Sequence, residues 1–266
     1  MPPLSMLPWR SSAPMHDLMP TLLLLAGAGF LAGAMNAAAG GGSFISFPAM
    51  IFAGVPPVYA NASSTVALFP GAVTSGWAYR QTLGGIGGVT LPVLLVVSVL
   101  GGILGAVLLL ATPASAFNAL VPWLLLLATL AFAFGRQAGF ALRRVVRLGP
   151  GATLAAQFLL AVYGGYFGGA VGIMMMAVWG LLGVGDLKQM NPTKTVLVGA
   201  MNGMAVLYFI AAGAVVWPQT LAMLFAAALG GYVGARLAMR LDVRWLRAGV
   251  IVISSAITLS FFLRGV

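Results

Sequence analysis

Long apolar runs alternate with short clusters of glycine, proline and hydroxyl residues along the whole chain. Leu18 to Ala39, Val89 to Ala111, Phe117 to Phe134, Thr153 to Val171, Pro218 to Met239 and Val243 to Leu263 approach or reach the ~20 residues that cross a bilayer as a helix. Two further runs, Ser43 to Ala53 and Gly172 to Leu182, are equally apolar but too short to cross fully. Each comes after glycines and ends in a turn, Val55-Pro56-Pro57 in one and Gly183 to Asn191 in the other. A new helix is predicted after each turn, from Tyr59 or Asn61 to about Tyr79 and from about Pro192 to Val215, where an early proline is tolerated. The pattern predicts an all-α polytopic membrane protein whose helices are interrupted by glycines. A membrane β-barrel needs alternating segments of ~10 residues, which the continuous runs exclude.

The same plan occurs twice. Gly40 and Gly54 align with Gly169 and Gly183; one extra residue enters the second copy, and Asn61-Ala-Ser-Ser-Thr65-Val66 then meets Asn191-Pro-Thr-Lys-Thr195-Val196. Further on, Gly101, Gly102 and Gly105 meet Gly230, Gly231 and Gly234, and Phe132 meets Phe261. The chain therefore divides into a disordered Pro- and Ser-rich tail (1–17), a first repeat (18–134), a basic loop (135–151) and a second repeat (152–266).

Composition sharpens the class. Of the 266 residues 61% are hydrophobic and 6% charged, far below the roughly 25% charged of soluble domains. The net charge of +10 does not mark a nucleic-acid binder, because the arginines sit in short loops between spans, as the positive-inside rule requires. Arg136, Arg143, Arg144 and Arg147 place the central loop in the cytoplasm. If each short run counts as a crossing, each repeat has an odd number of segments and the two are inverted. Arg80 and the cluster Arg236, Arg240, Arg244 and Arg247 then also lie inside, and the uncharged Thr112-Pro113 turn outside. If the short runs are re-entrant hairpins, the repeats are parallel and the Arg240 cluster falls outside, against the rule. Charge favours inversion.

There are no cysteines, one histidine and three acidic residues (Asp17, Asp186, Asp242), so thiol chemistry, metal sites and acid–base catalysis lack candidates. No cofactor, metal or enzymatic activity is expected. Met174, Met175 and Met176 raise Cu(I) ligation, but consecutive helical residues point apart, so they read as core filling. His16 lies in the tail.

The candidate chemistry is polar. At about 100° per residue, Asn191, Lys194, Thr195 and Asn202 share one arc roughly 100° wide, while Thr193 faces away. In the first copy Asn61, Ser64, Thr65 and Ser75 repeat the arc, with Ser64 at the position of Lys194. Helices that begin inside the protein present free N–H groups and the positive end of their dipole, an anion site. Gly40, Gly41 and Gly42 let backbone N–H groups approach a ligand. The plainer readings are that Asn, Ser and Thr only bond neighbouring helices and that Lys194 snorkels to the interface. Lys188 with Asp186 reads as a solvated turn.

These motifs (GGGSFISFPAMIFAGVPP, ANASSTV and the second-half NPTKTV) resemble those of the sulfite exporter TauE/SafE family, over about Leu22 to Phe262. Only scattered glycines (Gly168, Gly169, Gly172) precede the second short run, a departure from the longer family pattern. The resemblance implies export of small sulfur-containing anions, such as sulfite or an organosulfonate, across the inner (plasma) membrane. The expected protein is a secondary transporter, with alternating access between two repeats and the polar arcs as substrate-binding residues. A channel-like anion pore and a non-catalytic subunit of a larger complex remain open alternatives, and a homo-oligomer is compatible with both. The expected partners are the anion and the lipid bilayer.

Overall fold

A computed structural model of the chain describes residues 15–39, 41–78, 83–142, 149–181, 187–238 and 243–264. Among them are ten α-helices and no β-strand: α1 (Met15–Ala39), α2 (Ser43–Phe52), α3 (Pro57–Ala78), α4 (Leu91–Ala111), α5 (Ala114–Leu142), α6 (Pro150–Tyr166), α7 (Val171–Leu181), α8 (Leu187–Ala211), α9 (Trp217–Ala238) and α10 (Val243–Arg264). Four stretches are long and apolar enough to cross a membrane, Met19–Ala37, Leu91–Ala111, Ala114–Ala131 and Pro192–Ala211.

Local chemistry sets the helix ends. Gly41 (φ 88°) breaks the chain after α1, and α2 closes on Gly54 (φ 81°). Gly54 N donates to Ile51 O at 2.9 Å and Val55 N to Met50 O at 3.0 Å, a left-handed glycine stop. Helices α4 and α6 start from extended Thr90 and Gly149, with proline in the first turn.

Several expected boundaries move. The chain is already helical at Met15, inside the stretch expected as a tail. The segment expected as a basic loop from residue 135 continues α5 to Leu142, because Arg136, Gln137 and Ala138 are good helix formers and no proline intervenes before Pro150. Helix α8 begins at Leu187, five residues before Pro192. The favourable run Leu187-Lys188-Gln189-Met190 outweighs the one hydrogen bond lost at the proline. In the second half the break falls at Phe167 to Ala170, ahead of the expected Gly172. Residues 1–14, Gly40, Arg80, Arg143, Arg144, Arg147, Asp186, Arg240 and Asp242 lie outside the described residues, as do the side chains of Ser75, Lys188 and Asn191.

Packing divides each long helix into a lipid side and a core side. On α4, Val93, Val96, Leu100, Leu104 and Leu108 are exposed, while Leu94, Ser98, Gly101, Gly102 and Gly105 are buried. An exposed row of aliphatic residues at helical spacing fits a hydrocarbon solvent. The most extensive helix pairs are α1 with α9 and α4 with α6. Both are seams of small residues. A Cβ built on Gly33 would overlap the Ala227 carbonyl, and one on Gly230 the Phe30 carbonyl. One on Gly105 would overlap the Val162 carbonyl, and one on Gly165 the Gly102 backbone. Backbone-to-backbone approach of this kind holds helices together in lipid, where apolar surface alone does not.

Contacts also fix helix directions. Gly29 and Gly33 meet Met223 and Ala227, so α1 and α9 run parallel. Gln157 Nε2 donates to Ser98 Oγ at 2.8 Å, and Gly105 meets Val162, so α4 and α6 run parallel. By contrast α5 and α10 run antiparallel. Thr129 and Thr258 share a hydroxyl bond at 3.1 Å, and the Trp123 and Phe262 rings meet edge to face with centroids 5.3 Å apart.

Candidate functional site

The two breaks and the helices after them come together in the molecule's interior. The short helix α2 folds back against α3, with Ser46 Oγ and Ser64 Oγ hydrogen-bonded at 2.6 Å. Ser46 also donates to Gly42 O at 3.3 Å, tying the start of α2 to the same group. Gly42 itself packs on Ala32 and Asn36 of α1, too close for any side chain. Asn61 and Ser64 are buried, and Thr65 is half-buried. Thr65 Oγ1 donates back to Asn61 O at 2.9 Å, the usual inward bond of a helical threonine.

Asn61 links the halves. Its Nδ2 donates at 2.9 Å to the carbonyl of Tyr166, the last residue of α6 and thus the edge of the second break. One residue on, the Phe167 ring packs edge-to-face on Phe47 of α2, centroids 5.6 Å apart. Phe117 and Phe261 also pack on Phe47, at 6.4 Å each. Phe47, Phe117, Phe167 and Phe261 thus form an aromatic cluster centred on α2. The break is held by Tyr163, whose hydroxyl donates to Gly169 O at 2.8 Å. It requires Ala170 to adopt φ 55°, a left-handed angle that costs a residue with a side chain.

In the second half α7 folds back on α8 as α2 does on α3. Lys194 crosses the start of α7: a Cβ on Gly172 would lie 3.3 Å from its Cδ and 3.6 Å from its Cε. Gly172 thus leaves room for the lysine stem beside the first turn of α7. Contrary to the expectation of free N–H groups, Val171, Ile173 and Met174 there already donate to Gly168 O and Ala170 O, so this turn offers chiefly the positive end of its dipole. Thr195 is half-buried on the same helix. The amide Oδ1 of Asn202 is buried and has no hydrogen-bond partner among the described residues. A terminal amide can turn end over end, so either its oxygen or its nitrogen can face a ligand. The next residue, Gly203, receives the Phe69 ring of α3 at 3.2 Å from its would-be Cβ, where α3 and α8 pack together.

Of the predicted residues, Gly41, Gly42, Asn61, Ser64 and Thr65 are gathered around the first break. Lys194, Thr195 and Asn202 lie on α8, with the Lys194 stem against Gly172 at the second break. Gly40 and the Asn191 side chain are outside the described residues. The helical arcs missed Ser46, Ser63, Thr193 and Tyr166. Ser63 Oγ accepts from Val216 N at 3.0 Å. Thr193 Oγ1 donates to Gly84 O at 2.9 Å and accepts from Gly84 N at 3.2 Å. The pairing of Ser63 with Thr193 was available in the aligned ANASSTV and NPTKTV. A serine inside a ten-residue apolar helix was the signal for Ser46.

Residues 25–261 match the family model described as sulfite exporter TauE/SafE. A relative named "Probable membrane transporter protein ORF9", from Sinorhizobium sp., is 33% identical over 245 residues, covering 87% of this chain and 88% of its own length.

Proposed function

The chain belongs to the sulfite exporter TauE/SafE family of multi-pass membrane transporters, and from that premise we propose that it is a secondary carrier exporting a small sulfur-containing anion, sulfite or an organosulfonate, across the inner membrane. The observation that carries this reading is the lysine over the glycine. The stem of Lys194 lies on Gly172, at the start of a short helix that begins within the bundle. A lysine stem beside a helix N-terminus brings a cationic side chain and the positive end of a helix dipole to one place in the interior, and both attract an anion. The buried amide of Asn202 on the same helix supplies a further hydrogen-bonding end.

The two repeats are inverted in this reading, related by an axis across the bundle. Support comes from α5 and α10, which hold equivalent places in the two repeats yet run antiparallel through Thr129 and Thr258. The seams α1 with α9 and α4 with α6 are likewise exchanged equivalents. Alternating access then exposes a site at the repeat interface to one side at a time. A membrane potential negative inside favours anion exit by ~2.3 kcal/mol per charge per 100 mV.

The test is thermal unfolding of the purified protein with sulfite, sulfate, thiosulfate, sulfoacetate, taurine and short carboxylates. A ligand that binds only the folded state raises the melting temperature with dose. A rise confined to sulfite or the sulfonates is expected. A folded protein that responds to none of them, or to carboxylates alone, rules out this substrate class.

A further inference from the structure

We propose that the bodies that move against each other in this carrier are not its two sequence halves but two exchanged bundles: α1, α2, α3, α9 and α10 in one, and α4 through α8 in the other. The inference goes beyond the carrier reading by assigning the parts that rock.

The packing separates into two kinds. Within each proposed bundle the closest helix pairs meet backbone to backbone, while α10 joins the first bundle through lighter packing on α1 and α2 and packs more broadly on α5 across the divide. Gly33 and Gly230 seat α1 on α9, and Gly105 and Gly165 seat α4 on α6. Met201 of α8 fills the space above Gly102 of α4 and Gly164 of α6. Such seams cannot slide or open without losing their fit. Between the bundles every described contact involves a side chain: Thr129 with Thr258, Trp123 with Phe262, and Phe47 with Phe117 and Phe167. The bond from Asn61 to Tyr166 O and the Phe69 ring over Gly203 also cross there. These can part and re-form as rotamers change.

The chain passes between the bundles at two places, between α3 and α4 and between α8 and α9. Both connectors carry glycines at positive φ, Gly87 and Gly88 in the first and Gly213 in the second. Both are pinned by a hydroxyl of the bundle that receives the chain. Ser63 of α3 takes the N–H of Val216 just before α9, and Thr193 of α8 holds Gly84 ahead of α4. The hinges are thus these glycine connectors, and α5 and α6, the last helix of one sequence half and the first of the next, belong to one bundle. The polar residues of α3 and those of α8 fall on opposite bundles, so relative motion opens the site between them.

The protein has no cysteines, so labels can be placed without removing any. Spin labels at Leu31 and Phe225, both exposed, report on opposite sequence halves within one proposed bundle. Labels at Leu207 and Phe225, also exposed, report on one sequence half but different bundles. In liposomes, with and without sulfite, the Leu31/Phe225 pair is expected to keep one narrow distance. The Leu207/Phe225 pair is expected to shift or split. A Leu31/Phe225 distance that changes, or a Leu207/Phe225 distance that stays single throughout, overturns the assignment. Cysteines at Thr129 and Thr258 joined by a short bifunctional thiol reagent are expected to stop sulfite efflux until reduced. The same link between positions 98 and 157 leaves efflux within twofold; a block by that link also overturns the assignment. Two Leu207/Phe225 populations in a protein whose melting ignores sulfite would keep the bundles and remove the anion reading.

Discussion

Ala170 shows how a single residue reports on the design. Gly41 and Ala170 stand at matching places in the two copies, and both adopt positive φ, at 88° and 55°. The first break uses glycine, for which that angle is free; the second forces it on a residue with a Cβ. Replacing Ala170 by glycine is expected to raise stability by about 0.5–1 kcal/mol, the strain relieved less the added freedom of the unfolded chain. Thermal or denaturant unfolding of the variant measures it, and a lowered midpoint would contradict the strain. This break was hard to place from sequence because its glycines are scattered and the residue at the critical angle is an alanine. The first break was legible, since Gly40-Gly41-Gly42 has no other ready use in a membrane span. The polar arcs singled out Asn61, Ser64 and Lys194 and passed over Ser63 and Thr193. A helical wheel ranks faces of one helix, and those two hydroxyls bond loops that arrive from far along the chain.

At the scale of elements, glycine spacing carries the packing. Helices α4 and α9 place their glycines toward α6 and α1, and methyls added at Gly105 and Gly230 meet backbone rather than a movable side chain. Gly105→Ala and Gly230→Ala are each expected to cost about 1–3 kcal/mol through overpacking. Gly27→Ala, where a Cβ meets nothing within 4 Å, is the control. Melting temperatures of the three variants in one detergent decide this; equal losses at all three would deny the seams. The existence and type of nearly every helix was legible from apolar run length. The ends were not. Helix α5 outran the apolar stretch because arginine and glutamine suit a helix beyond the membrane, and α8 started before the proline that was expected to open it.

For the whole molecule, direction is the informative property. In the inverted arrangement proposed above, which the antiparallel α5 and α10 support, the second half makes an odd number of passes, and the connector before α9 lies on the opposite face from the start of α6. A cysteine at Ala212 is therefore expected to react with an impermeant thiol reagent only from outside the cell, and one at Gly149 only from inside. Labelling of both from the same face would restore parallel repeats. The sequence proposes a repeat. The packing of α1 on α9 and of α4 on α6 was not legible there, since alignment shows which segments are alike and not which ones touch.

Counterflow of radiolabelled sulfite in proteoliposomes, comparing the native chain with Lys194→Gln, weighs the anion site most directly. The native protein should show saturable uptake driven by unlabelled sulfite on the far side. Loss of one charged hydrogen bond, worth about 1.5–3 kcal/mol, should weaken apparent affinity roughly ten- to a hundredfold in a protein that still folds. Counterflow of full strength and unchanged affinity in Lys194→Gln would remove the lysine, and with it the anion site at the second break.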